Sequence, residues 1–159
     1  MQKTTTPRPW LGHVRNAAVA AALCAAASAQ AQFSMVPAPA LPGPPRASET
    51  DIEKEYNIDA ARHLYTAYPM RVYRGMMPPL LYGVMMVETE IDNAGQIVEI
   101  NVVRRPAAPE VLPWVVAMIR RAAPFPAPAR MANGVRYTEV WLVDKTGRFQ
   151  VHTLTEGQR

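Results

Sequence analysis

Between Met85 and Ile91 apolar and polar residues alternate ahead of a four-residue turn into a second apolar-rich segment, and no other feature of this sequence limits its fold so tightly. Met85, Val87, Thr89 and Ile91 interleave with Glu88 and Glu90, and Asp92-Asn93-Ala94-Gly95 turns the chain into Ile97 to Val103. A period of two sends successive side chains to opposite faces of a strand, so the pattern predicts a β-hairpin with one dry and one wet face. With the four turn residues unpaired, Met85, Val87 and Thr89 fall opposite Val102, Ile100 and Val98, and Glu88 falls opposite Glu99. A two-stranded hairpin is marginal alone in water, so its dry face needs a cover.

The flanking segments supply one. Glu49 to Ala67 holds good helix formers with Ile58, Ala61, Leu64 and Tyr65 at spacings of three and four, and Tyr68-Pro69 closes it. Met70 to Tyr82 contains Gly75 and Pro78-Pro79 without a period and reads as loop. A second helix is predicted from Pro113, which suits a first turn, through Trp114, Val115, Met118 and Ile119 to Arg120-Arg121 beside its negative end. Pro124-Phe125-Pro126 stops it. Arg136 to Asp144 and Arg148 to Leu154 read as two further strands around the turn Asp144-Lys145-Thr146-Gly147. The fold class expected is α+β: a three- to four-stranded antiparallel sheet with two helices on one face.

The start of the chain carries a different message. Lys3, Arg8 and Arg15 stand without any acid before Ala31; an uncharged run from Ala17 to Ala27 follows, then small residues at Ala29 and Ala31. Those parts predict a signal peptide over residues 1–31, cleaved after Ala31, and hence export. The apolar run is shorter than the roughly 20 residues a membrane span needs; an uncleaved inner-membrane anchor is the alternative. Leu23 precedes Cys24 where a lipoprotein would need a small residue, so lipidation is not expected. Cys24 is the single cysteine, so the exported chain would have no thiol for a disulfide, a metal or nucleophilic chemistry. Losing the leader takes three positive charges from a net +4 and leaves +1, and no aromatic-interleaved basic run remains, so no nucleic-acid partner is expected. Residues 32–48 include Val36 to Arg46, VPAPALPGPPR, which reads as a disordered, polyproline-type linker. Residues 49–159 form the predicted domain.

The stretch Gly83-Val84-Met85-Met86-Val87-Glu88-Thr89-Glu90-Ile91-Asp92-Asn93-Ala94-Gly95-Gln96-Ile97 resembles the first hairpin of TonB C-terminal domains, which typically read G-x-V-x-V-x-F-x-I-x-x-x-G-x-V there. The likeness continues through the second strand, the connection Arg105-Pro106-Ala107-Ala108-Pro109, a helix ending in Arg120-Arg121, and Pro124-Phe125-Pro126. Tyr68-Pro69 is similar to the Tyr-Pro that precedes the first strand in that family. The resemblance spans about Ile58 to Val143 and marks Gly83, Gly95, Pro124, Phe125 and Pro126 as structural positions. It implies a periplasmic module of TonB-dependent transport that binds envelope proteins, outer-membrane receptors among them, by pairing with their extended segments. Departures accompany the likeness: a cleaved leader where a transducer keeps an anchor, a much shorter proline-rich arm, and an added segment at Arg148 to Leu154.

In the family, the last strand's edge receives the partner, which makes Val135, Tyr137, Glu139, Trp141 and Val143 the partner-binding candidates here. Tyr137 and Trp141 share one face and equally suit a core beneath the helices; Phe125 equally suits a buried plug at the helix exit. A structural or assembly module of the cell envelope without a transport role, self-associating through the same edges as in a homodimer, is the alternative function. Glu88 opposite Glu99 is the one pair that general acid–base catalysis could use, against a plain solvated face. His63 and His152 lack companions at metal-ligand spacing. Neither glycine elbow nor phosphate loop occurs, so no catalytic residue, metal, cofactor or small-molecule substrate is expected.

Overall fold

The computed structural model describes residues 43–158. The predicted signal peptide and the part of the proline-rich linker before residue 43 lie outside the described residues.

Asp92 closes the hairpin predicted from the alternation. Its Oδ1 accepts hydrogen bonds from Ala94 N and Gln96 N at 2.8 Å each, and Gly95 takes φ +79°, a conformation that side chains resist. The two strands are β1, Gly83–Ile91, and β2, Ile97–Arg104. Their register differs by two residues from the simple turn count: Val87 pairs with Val102 and Thr89 with Ile100. Irregularities between Met86 and Val87 and between Glu90 and Ile91 absorb extra residues. Where the offset is two, side chains keep their predicted faces, but the irregularity between Glu90 and Ile91 sets Ile97 opposite Ile91 and leaves Val98, expected on the dry face, 67% exposed. Glu88, however, now faces Asn101, and Glu90 faces Glu99.

Helix α1 spans Glu53–Ala67 and α2 spans Val111–Arg121; β3, Val135–Val143, and β4, Phe149–Val151, follow. The sheet is antiparallel in the order β2-β1-β3-β4, and the predicted α+β class, two helices and a four-stranded sheet, is what forms. The predicted fourth strand is shorter than its sequence pattern, since His152–Leu154 coils into a 3-10 turn.

Helix α1 begins four residues later than its composition suggests, because the chain arrives extended. Ser48 pairs with the loop after α2, donating N–H to Ala127 O at 2.9 Å and accepting from Ala129 N at 3.1 Å, while its Oγ donates to Asp59 at 2.8 Å. Ser48 therefore belongs to the domain and not to a disordered linker. Helix α2 begins two residues earlier than Pro113, which occupies the third helical position; its missing N–H lies among those of the first turn that lack an intrahelical partner anyway.

The helices cover the face carrying Met85, Val87, Thr89 and Ile91, all fully or nearly fully buried. Two α1 side chains, and that of Tyr68 just after the helix, reach carbonyls at the end of α2 and just beyond it. Tyr68 OH donates to Met118 O at 2.8 Å, His63 Nε2 lies 2.7 Å from Ala122 O, and Tyr56 OH donates to Pro126 O at 2.7 Å. Met118 O also accepts from Ala122 N at 3.0 Å, whereas Ala122 O and Pro126 O lie past the last helical residue, so these contacts fix α1 against α2 as well as helping to close it.

Gly95 and Pro124-Phe125-Pro126, separate motifs in the sequence, meet at one contact. Phe125, fully buried, donates N–H to Gly95 O at 2.8 Å. A Cβ on Gly95 would sit 2.1 Å from Phe125 O. Gly83 lies against the start of α2, where an added Cβ would stand 3.1 Å from Val111. Gly95→Ala should therefore cost about 2 kcal/mol or more of stability, strain plus collision. Gly75→Ala, at φ +80° with open space around it, should cost only about 1 kcal/mol. Urea unfolding midpoints of the two variants check the difference, which should vanish if the docking contact is absent.

Candidate functional site

The partner-binding candidates on β3 follow a strict alternation, and all five lie on the covered face. Val135, Tyr137, Glu139, Trp141 and Val143 are buried, with Trp141 and Val143 fully so. Tyr137 packs 6.1 Å from the Phe125 ring and Trp141 4.8 Å from Phe149, centroid to centroid. Their side chains build the core. β3 is the third of four strands, so it is not the outermost strand that the sequence suggests.

The side of β3 turned away from β1 is largely closed. β4 pairs with Trp141 to Val143. Next to it, the Glu139 carboxylate folds back on the edge: Oε1 accepts from Val140 N at 3.0 Å and Thr153 N at 3.2 Å, and Oε2 accepts from Tyr137 OH at 3.2 Å. The tail is anchored further. Gln150 Nε2 donates to Tyr73 O and Gly75 O, and Val151 N donates to Tyr65 OH. Phe149 and Val151 are fully buried, so the added segment is core and not a removable flap. Trp141 Nε1 is a buried donor without a hydrogen-bond partner among the described residues.

Burial pushes the Glu139 carboxyl up, and the hydrogen bonds from Thr153, Val140 and Tyr137 only partly oppose it. The folded state thus holds its proton more tightly than the unfolded chain does. Stability from this group is present below the unfolded carboxylate range and is lost as pH rises through the raised value. His63, pushed down by burial despite its bond to Ala122 O, is a packed core residue; its ring lies 5.2 Å from that of Phe125.

The opposite edge of the sheet is open. Asp144 N donates to Arg148 O across the β3–β4 turn at 2.9 Å, so even-numbered β3 residues aim their main-chain groups at β4 and odd-numbered ones at β1. Carrying the antiparallel alternation through β1 aims Glu99 and Asn101 at β1 and leaves the N–H and C=O of Ile100 and Val102 facing outward. No strand pairs with that side among the described residues. The side chains of Ile100 and Val102 are half-buried on the helix face, whereas Val98 and Val103 are 67% and 57% exposed. An open groove of about 510 Å³ runs beside the first half of β2, floored by Gln96 to Ile100 and walled by Arg120 and Ala123 at the end of α2.

Sequence reasoning missed this edge, although β2 carries a signal for it. Ile97, Val98, Ile100, Val102 and Val103 put apolar residues on both faces, more than a strand with one covered face needs. On the wet face, Arg136 bridges Glu88 at 3.5 Å and Glu90 at 3.3 Å. The Glu88–Glu99 pair conceived for acid–base chemistry does not assemble, because the register separates the two. Among the described residues there is no group of three potential metal ligands and no helix long and apolar enough to cross a membrane.

No family model matches the chain, and neither curated proteins nor solved structures give a significant match.

Glu139→Gln keeps the acceptor for Val140 and Thr153 without the charge. The stability of the native protein relative to this variant should fall as pH rises from the acid side through the carboxylate range, measured by urea unfolding at a series of pH values. A difference independent of pH would remove Glu139 as a buried titrating group.

Proposed function

We propose that this chain is an exported binding module of the TonB C-terminal type, which holds extended segments of outer-membrane receptors or other envelope proteins by adding them as a strand to its sheet. The observation that carries this reading is the outer side of β2, an eight-residue strand whose outward main-chain groups at Ile100 and Val102 have no partner strand among the described residues. An unpaired edge of this length is a template that proteins cover, blunt or use. In strand addition the main-chain hydrogen bonds give affinity and alternate side chains give choice. The α+β architecture agrees with the resemblance carried by Gly83, Gly95 and Pro124-Phe125-Pro126, of which Gly83, Gly95, Phe125 and Pro126 make contacts of the kind a shared fold would require.

The family's usual edge is a poorer seat here. With β4 on Trp141 to Val143 and Glu139 on the Val140 N–H, only Arg136 and Thr138 keep outward main-chain groups on β3. We therefore place the partner on β2. In solution, adding a peptide from the extended N-terminal segment of an outer-membrane receptor should shift the amide resonances from Val98 to Val103. Val102→Pro removes an outward N–H but no β1–β2 ladder bond, a substitution that edge strands accept, and should weaken that binding by about tenfold or more. Spectra unchanged at high excess of such peptides, or equal binding by the proline variant, would count decisively against strand addition at β2.

A further inference from the structure

Arginines bracket the open edge of β2. Arg104 and Arg105 lie at its end, and Arg120 and Arg121 close α2, with Arg120 walling the groove beside Gln96 to Ile100. All four are exposed, and none has an ion-pair partner among the described residues. Elsewhere Arg62 pairs with Asp59, Arg130 with Glu49, and Arg136 with Glu88 and Glu90. Exposed cationic side chains thus stand at both ends of a strand whose outer side has no partner strand among the described residues.

We propose that the segment received by β2 is acidic at both ends: an extended stretch of about five residues, at roughly 3.3 Å each, whose main chain pairs with Ile100 and Val102. One carboxylate reaches Arg104 and Arg105, and the other reaches Arg120. This rests on the strand-addition reading and adds the chemistry of the occupant. Between the two ends, small or β-branched side chains lie over the exposed Val98 and along the groove wall. Carboxylates at the ends steer encounter and fix register, while the ladder holds the complex.

Charge also excludes the two occupants nearest to hand. A second copy pairing antiparallel about a two-fold axis would set the Arg104–Arg105 end of one strand against the Arg120 end of the other, juxtaposing like charges. The chain's own residues before Glu49 contain no Asp or Glu at all, and nearly half of their proline-rich part from Val36 to Arg46 is proline, which has no N–H to donate. The acids come from another protein.

Three synthetic heptapeptides with a common Val-Thr-Val-Thr-Val centre and Asp, Ser or Lys at both ends test this with the full chain at low ionic strength. The Asp-ended peptide should bind about tenfold more tightly than the Lys-ended one, with amide shifts centred on Val98 to Val103, and 0.5 M NaCl should erase the preference. Arg104→Glu combined with Arg120→Glu should invert the order; the peptide comparison on the native chain stands even if that variant fails to fold. Equal binding of all three peptides with shifts on β2 would overturn the acidic partner while leaving strand addition intact. Silence from all three would sink both readings. Shifts confined to Arg136 to Val140, a concentration-dependent dimer that broadens the β2 amides without peptide, or capture by phosphatidylglycerol vesicles in place of peptide would each overturn the proposal.

Discussion

The dry face of β1 is the constraint on which the rest of this domain depends. β1 pairs along its whole length with β3 and along most of it with β2, so its backbone is satisfied on both sides, while Met85, Val87, Thr89 and Ile91 must still be covered. Two short helices provide that cover, and neither is self-sufficient in water at its length. They are fixed by side chains that reach across: Tyr56 and His63 on α1, and Tyr68 just after it, bond to carbonyls at Pro126, Ala122 and Met118. The turn glycine of the hairpin then docks on Phe125, so sheet and helical layer meet without a gap.

This arrangement decides where a partner can go. Burying one face commits the odd-numbered side chains of β3 to the core, and the C-terminal tail commits half of its outer side to β4 and the Glu139 carboxylate. A buried carboxylate is costly unless its oxygens are satisfied; here two main-chain N–H groups and a tyrosine hydroxyl satisfy them, and one of those N–H groups is an edge donor taken out of use. β2 has no such closure. Its helix-side residues are half-buried, its far side is open, and arginines stand at both of its ends.

The sequence made the hairpin, both helices, the third strand and the faces of β1 and β3 legible, because all follow from periodicity that the core enforces. It could not reveal the two-residue shift in register, since an even shift leaves side-chain faces unchanged over most of the hairpin, nor the irregularity beside Glu90 that turns Val98 outward. That shift separates Glu88 from Glu99. Strand order was equally hidden: Val135 to Val143 reads the same as an edge or as an inner strand, and only the tail's return beside Trp141 distinguishes them. Ser48 joined the fold through main-chain pairing, which composition does not encode. The apolar excess on both faces of β2 was visible, and its meaning came with the position of β2 at the margin of the sheet.

Amide hydrogen exchange on the full chain, read residue by residue along β2, examines the open edge most directly. Glu99 and Asn101, which face β1, should be protected, while Ile100 and Val102 should exchange near the rate of an unpaired chain and slow only when a partner segment is added. Protection of Ile100 and Val102 in the free protein would mean that its own chain or a second copy already fills the edge, and the account would be contradicted.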